Sequence, residues 1–376
     1  MRPWLIASGD FTTLGGMDRA NHGLARYLAR SGRPVHLVAH RVAADLAALP
    51  GLTVHAVPRP LGAHMLGAPL LSNAALRQAR ALGSTACVLA NGGNAVLPGA
   101  TWVHYVHAAH VPDVASSVRT TISSGIGRRY YLSRERAAMR TASVVICNSE
   151  RTAADLQLHY GIDRSRIRVI YYGVDACAFS STSVAERRAA RAALGLDGGR
   201  RTAVFIGALG DRRKGFDVLF DAWRLVCADR GWDVDLLVAG TGGEQDAWVA
   251  RARQEGLESK IRFLGFREDI ATVLAASDLL VHPARYEAYG LGVHEAICRG
   301  LPAIVTEGSG VAERYPKDLG SLIIPNPPRV ESLVSALRAW RRTADEWRER
   351  VGRLAAELRA RTWDDMAAEI VAAVES

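Results

Sequence analysis

Residues 282–306 constrain this chain most, because two glutamates flank a helix start that is punctuated by glycine. Residues 278–281 predict a buried strand, which Pro283 ends. Gly290 then opens a helix that stops at Gly300. In an open parallel sheet such a loop lies at the carboxyl end of its strand, where ligands bind, and the helix start offers unpaired N–H groups to an anion. The segment therefore suits a diphosphate.

The two glutamates, Glu287 and Glu295, have two interpretations. Glu287 precedes the helix, which suits a contact with a substrate hydroxyl or a cation. Glu295 lies inside a largely apolar helix, where a carboxylate needs a partner that paired ribose hydroxyls would provide. Alternatively, Glu287 complements the helix dipole and Glu295 forms a surface salt bridge. These residues alone do not decide between the two.

The length and composition predict a two-domain protein. A chain of 376 residues exceeds the usual size of one core. No apolar run approaches the roughly 20 residues that a membrane-spanning helix needs, and the first one is too short for a signal peptide. The five scattered cysteines indicate neither a disulfide framework nor a zinc site. We therefore expect a cytoplasmic protein.

Positive charge is concentrated in the first half of the chain. Residues 1–180 contain 19 arginines, no lysine and 9 acidic residues, a net charge of +10, whereas residues 181–376 carry −1. This asymmetry indicates an anionic partner such as a phosphorylated acceptor, a membrane surface or nucleic acid, or else a surface made soluble by arginine. Residues 120–140 mix five arginines with tyrosines, isoleucine and leucine, which suits either peripheral contact with an anionic membrane or an ordinary solvated helix.

Strand and helix patterns alternate along the chain and restart after an interruption between residues 174 and 199. Such alternation predicts two parallel sheets covered by helices. The strands are predicted at residues 4–8, 35–39, 52–57, 87–90, 102–106 and 144–147, and then at 202–206, 234–239, 261–264 and 279–281. The first helix is predicted at residues 19–30.

The spacing of Glu287 and Glu295, with the Gly-Leu-Pro that follows, resembles the signature of family 4 retaining glycosyltransferases of the GT-B fold. Other matches follow in the family's order over nearly the whole chain: Gly15-Gly16, ASVVICNSERTAADL at 142–156, YGVDACAF at 172–179, VFIGALGDRRKGFDVLFDAW at 204–223, LVAGTGGE at 237–244 and IRFLGFREDI at 261–270. The resemblance implies an α/β protein with two Rossmann-like domains facing each other across a cleft. Residues 1–175 would bind the acceptor and 176–360 the nucleotide-sugar donor, with a C-terminal helix at 361–376 packed back on the first domain.

Arg213 and Lys214 follow a strand and precede a helix, where cations can meet the oxygens of a departing diphosphate. Family members usually carry Gly-Arg after this strand, but Ala208 follows Gly207 here. A second departure is Tyr172, where the family often has asparagine. The resemblance implies that the remaining donor contacts come from Gly15, Gly16, Gly207, Gly240, Arg267, Tyr289, Gly290, Leu291 and Glu295.

His104, His107 and His110 have a spacing that could suggest a metal site, but no carboxylate or cysteine completes a ligand set. The resemblance implies a single sugar-contacting histidine, which His107 matches best; the alternative is a core or loop histidine. Asp233-Val234-Asp235 matches a metal-binding pattern of another glycosyltransferase fold, yet it begins a strand, at the opposite end from the predicted ligand loops. We therefore expect no metal and no cofactor besides a UDP- or GDP-linked sugar.

The function that the resemblance implies is retaining transfer of a sugar to a lipid-linked, glycan or natural-product acceptor. Glu287, His107, Arg213 and Lys214 are the predicted catalytic residues, with the leaving phosphate accepting the acceptor proton. The alternative is a nucleotide-sugar epimerase or sugar phosphorylase of the same fold. Nucleic-acid binding lacks a recognition motif, and a dehydrogenase lacks Gly-x-Gly-x-x-Gly after the first strand. The expected location is the cytoplasm or, peripherally, the inner face of the membrane.

Overall fold

The computed structural model describes residues 1–110, 118–196 and 199–376, without the side chains of residues 118–124 and 126. These residues divide into two compact units: Met1–Gly173 with Arg361–Ser376, and Val174–Ala360. The predicted first boundary, after residue 175, lies two residues beyond the end of the first segment at Gly173. Gly198 of the predicted junction and the side chains at 120–124 and 126 of the predicted basic segment lie outside the described residues.

The strands and helices alternate along both units. The strands are β1 Trp4–Ala7, β2 Asp10–Phe11, β3 Val35–Ala39, β4 Arg41–Val42, β5 Leu52–Ala56, β6 Cys87–Asn91, β7 Gly99–Val103, β8 Ala142–Cys147, β9 Ile167–Val169, β10 Arg201–Ile206, β11 Val234–Ala239, β12 Ile261–Gly265, β13 Leu279–His282, β14 Ala303–Thr306 and β15 Ile323–Ile324. The helices are α1 Gly16–Arg30, α2 Ala44–Ala47, α3 His64–Leu82, α4 Val118–Thr141, α5 Glu150–Tyr160, α6 Val184–Ala193, α7 Phe216–Cys227, α8 Gln245–Gln254, α9 Ile270–Ala276, α10 Leu291–Cys298, α11 Val330–Arg342, α12 Trp347–Arg350, α13 Gly352–Ala360 and α14 Trp363–Glu375. Within this part of the chain, no helix is both long enough and apolar enough to cross a bilayer.

Each unit is built on one large parallel sheet, and the first unit also contains the parallel pair β2 and β4. The strand order is β5-β3-β1-β6-β7-β8-β9 in the first unit and β12-β11-β10-β13-β14-β15 in the second. The central strands β1 and β13 are buried along their whole length, as expected where helices cover both faces of a parallel sheet. The predicted α/β class with two parallel sheets is therefore confirmed.

The C-terminal helix α14 packs on the first unit through positions where side chains are small. A Cβ on Gly173 would lie 2.0 Å from the carbonyl oxygen of Thr362, so only glycine permits this approach. Glu375 then joins the helix to the first sheet, because it accepts hydrogen bonds from the Trp4 indole at 3.1 Å and from Arg33 at 3.2 Å. These hydrogen bonds attach the C-terminal helix to the unit that contains β1.

Two predicted elements are displaced in the structure. Helix α1 begins at Gly16 rather than at residue 19, because Gly15 at its N-cap adopts φ +84°, which glycine tolerates. Strand β7 covers residues 99–103 instead of 102–106. Its ladder with β8 stops at the pair Val103 and Cys147, where β8 itself ends, so the histidines that follow lie beyond the strand.

Candidate active site

The loops after β10 and β11 lie in contact at the carboxyl edge of the second sheet. The Gly207 amide donates to the carbonyl of Ala239 at 3.0 Å. Gly240 adopts φ +145°, and a Cβ there would lie 1.9 Å from the carbonyl oxygen of Gly207. Gly240 therefore needs to be glycine, and the two loops lie backbone against backbone at the ends of these strands, where ligands bind in parallel sheets.

The predicted cations lie in a single 3-10 turn, Arg212–Lys214, at the same edge. The Asp211 side chain caps the turn by accepting from the Arg213 amide at 3.1 Å. Gly215 ends it at φ +74°, pressed so closely against Pro283 that a Cβ would lie 1.9 Å from its carbonyl oxygen. This contact fixes the turn against the loop that carries Glu287.

The Glu287 carboxylate is the point on which the basic side chains converge. Its Oε2 lies 2.5 Å from Lys214 Nζ, 3.3 Å from His282 Nε2 and 3.5 Å from Arg213 Nη1. Only 15% of the Glu287 side chain is exposed, against 20% for Lys214. The structure thus brings three of the four predicted catalytic residues together and adds His282.

The basic groups around Glu287 determine its charge state. Burial by itself raises the pKa of the carboxyl, but Lys214, His282 and Arg213 outweigh burial and hold the pKa well below its ordinary value. Burial lowers the pKa of His282, and the neighbouring cations Lys214 and Arg213 add to that effect, while Glu287 opposes it. Glu287 is therefore a carboxylate at neutral pH, with a neutral imidazole beside it.

Backbone and ion-pair contacts hold the loop around Glu287 in place. The Gly310 amide donates to the Glu287 carbonyl at 3.0 Å, beside an isolated parallel bridge to Ser309. Arg285 binds the carboxylate of Asp217 at 2.6 and 2.8 Å and also donates to the carbonyl of Arg212 at 2.6 Å. The Glu287 carboxylate thus has a rigid support, as a preorganised site needs.

Helix α10 begins beside this cluster at Gly290, which adopts φ +104°. Glu295 lies in its interior and is 3% exposed. The Tyr289 hydroxyl pairs with His294 Nδ1 at 2.7 Å, and the tyrosine is 1% exposed. The Tyr289 carbonyl accepts from the Val311 amide at 2.7 Å. Of the predicted donor contacts in this segment, Tyr289 is therefore engaged by the protein itself, and Leu291 is 7% exposed.

Arg267 lies beyond the end of β12, the strand next to β11. Its guanidinium forms two hydrogen bonds with Asp269, at 2.6 and 2.8 Å, while the neighbouring Phe266 is 66% exposed. The Gly240 amide donates to the carbonyl of Gly265 at 2.8 Å, which joins this loop to the glycine loops. The position suits the framing of a base, although the arginine charge is already compensated.

In the first unit, His107 begins a 3-10 turn, His107–Ala109, just past β7. Its Nδ1 lies 3.3 Å from Glu135 Oε1, and its backbone amide donates to the same carboxylate at 3.1 Å. The ring stacks on Tyr131 with centroids 5.2 Å apart. Glu135 is 3% exposed but the His107 side chain is 42% exposed, so a buried carboxylate presents an accessible imidazole.

His104 has a structural role. It is buried, and burial lowers its pKa to about 3. Its Nδ1 meets the Tyr172 hydroxyl, which also accepts a hydrogen bond from the Asn148 amide at 3.1 Å. Tyr172, the departure from the family pattern, thus completes a buried polar network that an asparagine is too short to reproduce in the same way.

Gly15 and Gly16 lie at the start of α1, where Gly15 is exposed and no side chain caps the helix. Asp18 lies in the first turn of α1. Burial, together with the neighbouring carboxylate of Asp10, raises the pKa of Asp18 to about 6. Asp10 is in turn bound by Arg41 at 2.6 Å. Asp18 was not among the predicted site residues, and its only sequence signal was its place after the two glycines.

The two carboxylates of the Asp-x-Asp pattern are engaged by arginines at the amino edge of the second sheet. Asp233 accepts from Arg341 at 2.5 and 2.6 Å, and Asp235 accepts from Arg200 at 2.8 Å. Both flank the first residue of β11, so they lie at the opposite end of that strand from Gly240. The described residues contain no cluster of three or more histidine, cysteine or acidic side chains that could hold a metal ion.

His282 is the residue of this site that sequence reasoning missed. As the last residue of a buried strand it reads as part of the core, and it is 5% exposed. His282 ends β13, and the loop that follows it carries Glu287, whose Oε2 lies 3.3 Å from the imidazole Nε2. A buried histidine directly before the predicted catalytic loop was the available signal.

Comparisons with known proteins identify the family of the chain. Residues 14–176 match the family described as Glycosyltransferase Family 4, and residues 186–357 match Glycosyl transferases group 1. The D-inositol 3-phosphate glycosyltransferase of Jonesia denitrificans is 27% identical over 233 residues, which cover 60% of this chain and 55% of that protein. The chain spans about half the length of the curated relatives it matches.

Solved structures extend the likeness to the whole chain. WaaG, a glycosyltransferase involved in lipopolysaccharide biosynthesis, has a TM-score of 0.76 at 19% identity, with 99% of each chain covered. Anabaena HepE in complex with UDP and glucose has a TM-score of 0.71 at 21% identity, with 100% of each chain covered. At these identities the likeness shows the GT-B fold. Together with the two family matches, it shows that the chain belongs to the family 4 glycosyltransferases of the GT-B fold.

Proposed function

We propose that this protein transfers a sugar from a nucleotide-diphosphate donor to an acceptor, with retention of the anomeric configuration. The second unit would bind the donor and the basic first unit the acceptor. The observation that carries this proposal is the convergence of Lys214, Arg213 and His282 on one oxygen of Glu287, beside the bare backbone of Gly207. A negatively charged donor and a sugar hydroxyl would each find a matching group there.

The donor diphosphate would compete with Glu287 for the two cations. Lys214 carries three N–H donors, so it can keep Glu287 as a partner while it binds a phosphate oxygen. Arg213 is fixed by Asp211 and by the carbonyl of Tyr286, at 3.1 and 3.0 Å, which orients its guanidinium before the donor binds. Because charge builds on the phosphate as it leaves, such preorganised donors act more strongly in the transition state than in the ground state.

Glu287 would bind the transferred sugar. The three basic contacts above all involve its Oε2, which leaves Oε1 to accept a hydrogen bond from a sugar hydroxyl. The bond from the anomeric carbon to the phosphate oxygen breaks, and a bond to the acceptor oxygen forms on the same face. The acceptor proton passes to the leaving phosphate, so no enzyme nucleophile is required. His107 in the first unit would contact a hydroxyl of the sugar.

The reaction would need no divalent metal, because Arg213, Lys214 and the start of α10 supply positive charge for the diphosphate. The nucleotide would be UDP or GDP, with Glu295 binding its ribose. The acceptor would be lipid-linked, a glycan or a natural product, and a phosphorylated acceptor suits the net charge of +10 in residues 1–180. The protein would act in the cytoplasm or, peripherally, at the inner face of the cell membrane.

A nucleotide-sugar panel tests the proposal. UDP-, GDP- and ADP-linked sugars are added to the protein, and a donor at 100 times its dissociation constant should add about 2.7 kcal/mol to the free energy of unfolding. Acceptor-dependent release of the nucleotide should then continue with excess EDTA, and NMR of the product should show retention. The proposal is wrong if no nucleotide sugar raises the unfolding temperature, or if Glu287→Gln and Lys214→Ala release nucleotide as fast as the unchanged protein.

A further inference from the structure

We propose that Glu135 is a positioning residue that fixes which ring nitrogen of His107 carries the proton. The carboxylate holds the proton on Nδ1, so that Nε2 accepts a hydrogen bond from a ligand and cannot donate one. This inference rests on the proposed function, in which His107 contacts a hydroxyl of the sugar, and it adds a chemical requirement to that contact. The ligand group at Nε2 must be a hydroxyl that donates its hydrogen, and an ether or a halogen at the same place is rejected.

The two oxygens of the Glu135 carboxylate have different main partners. Oε1 lies 3.3 Å from His107 Nδ1, while Oε2 accepts from the His107 amide at 3.1 Å and from the Tyr160 hydroxyl. A longer contact of 3.3 Å joins the same amide to Oε1. A carboxylate can only accept hydrogen bonds, so a neutral imidazole beside it keeps its proton on Nδ1.

Tyr160 keeps the second carboxylate oxygen occupied. Burial raises the pKa of its phenol, and the neighbouring charge of Glu135 raises that pKa further. The hydroxyl therefore keeps its hydrogen at neutral pH and donates it to Oε2. Because Oε2 is committed to this hydroxyl and to a backbone amide, Oε1 is the oxygen left to face the imidazole.

The turn of α4 that carries Glu135 is held in place by its neighbours. Arg134, the preceding residue, donates to the carbonyl oxygens of Gly93 and Asn94 at 3.0 and 3.1 Å. A Cβ on Gly93 would lie 3.1 Å from the Glu135 amide nitrogen, so the helix and this loop lie in close contact. These contacts fix the point from which the carboxylate extends toward His107.

Two tyrosine rings restrict the orientation of the imidazole. Tyr131 stacks on it with centroids 5.2 Å apart, and Tyr105 meets it edge-on at 4.9 Å. Since Nδ1 faces the buried carboxylate, Nε2 is the ring nitrogen left for a ligand, and 42% of the His107 side chain is exposed. A second shell that sets the tautomer in this way decides whether the accessible nitrogen donates or accepts.

NMR of the ligand-free chain tests the assignment directly. The histidines are labelled with ¹⁵N, and spectra are recorded at about pH 8, above the ordinary histidine pKa of about 6.5. His107→Asn identifies the His107 signals by their loss. The ¹⁵N chemical shifts of the unchanged protein should show a protonated Nδ1 and a bare Nε2 at this residue.

Glu135→Gln should reverse the tautomer. The His107 amide and the Tyr160 hydroxyl both need an acceptor at the Oε2 position, so the side-chain oxygen takes that place and the new NH2 group faces Nδ1. Nδ1 must then accept, and the proton moves to Nε2. The control Glu150→Gln changes an exposed glutamate of α5 that pairs with Arg164 at 3.1 Å, and it should leave the His107 signals unchanged.

Fluorinated sugars test the requirement for a donating hydroxyl. The probes are UDP-glucose and GDP-glucose, each with analogues in which fluorine replaces one sugar hydroxyl at a time, and the dissociation constant of each is measured. Fluorine cannot donate, so at the contacted position it should weaken binding to the unchanged protein about tenfold. In Glu135→Gln the loss should be at most about threefold, because Nε2–H can donate to fluorine.

Two results would overturn the proposal. One is a proton on Nε2 in the unchanged protein, which decides the matter even if Glu135→Gln does not fold. The other is an equal loss of affinity on fluorination in the unchanged protein and in Glu135→Gln. If neither nucleotide sugar binds at all, the proposed transferase function fails by itself, since the NMR result does not depend on a ligand.

Discussion

The carboxyl edges of the two parallel sheets carry opposite kinds of site. In the second unit, Glu287 is 15% exposed and its charge is already compensated by Lys214 and Arg213. In the first unit, the buried carboxylate of Glu135 supports an imidazole, His107, that is 42% exposed. The edge of the second unit thus holds its charged groups in an internal ion cluster, whereas the edge of the first unit exposes a polar side chain to solvent. The difference suits the proposed roles, with a preorganised donor site in the second unit and an adaptable acceptor site in the first.

The largest expected effect tests the ion cluster of the second unit. Lys214→Ala should lower turnover about 100- to 1,000-fold, which is typical of losing one donor to the charge that develops in a transition state. Because Lys214 lowers the pKa of Glu287, its removal should also move the acidic limb of the pH–rate profile to higher pH. Steady-state kinetics measure both effects. Lys317→Ala, at an exposed lysine of the same unit, is the control, and an equal loss in both variants would contradict the assignment.

Alanine substitutions of two glycines test how tightly the backbone is packed at the carboxyl edges of the two sheets. Gly240→Ala would place a Cβ 1.9 Å from the Gly207 carbonyl, and we expect it to lower the free energy of unfolding by about 3 kcal/mol or more, as overpacking with a strained φ does. Gly15→Ala meets no atom within 4 Å, so only its φ of +84° should cost stability, about 1 kcal/mol. Denaturant unfolding measures the pair. Equal destabilisation would show that the edges do not differ in packing.

A substitution of His282 tests whether a buried neighbour positions Glu287 in the ion cluster of the second unit. His282→Leu removes the imidazole that lies 3.3 Å from Glu287 and helps to lower the pKa of its carboxyl, and it should lower kcat/KM about fivefold, since one polar contact contributes about 1 kcal/mol. His282→Gln offers an N–H at similar reach and should recover most of the activity. If glutamine is as damaging as leucine while both variants fold normally, His282 does not position Glu287.

The remaining prediction concerns the pH dependence of stability in the first unit. The pKa of His104 is about 3 in the folded protein, below its ordinary value of 6.5. Between these values the unfolded chain binds a proton that the folded unit does not, so the free energy of unfolding should fall as the pH is lowered, by up to about 1.4 kcal/mol per pH unit. His104→Gln should flatten this slope in denaturant unfolding between pH 4 and 6.5. His159→Gln, at an exposed histidine of α5, should leave the slope unchanged.

Much of the architecture was predictable because its signals are local. The buried run before Pro283 and the glycine at position 290 predicted β13 and α10 within one residue at each end. The error at β7 has a non-local cause, since the strand ends where its neighbour β8 ends. Likewise, no local signal indicated that Tyr172 would bond His104, which lies 68 residues away.

By itself, the sequence determined the two parallel sheets, the family, and the glycines and charged residues that line the strand ends. These follow from apolar runs, turn residues and spacing, which act over a few residues. Only the tertiary structure decided that Lys214 and Glu287, 73 residues apart, form one ion cluster and that His282 joins it. The physical reason is that β10 and β13 pair as neighbours, so side chains from distant segments share one buried edge, where proximity and low solvent exposure determine their charge.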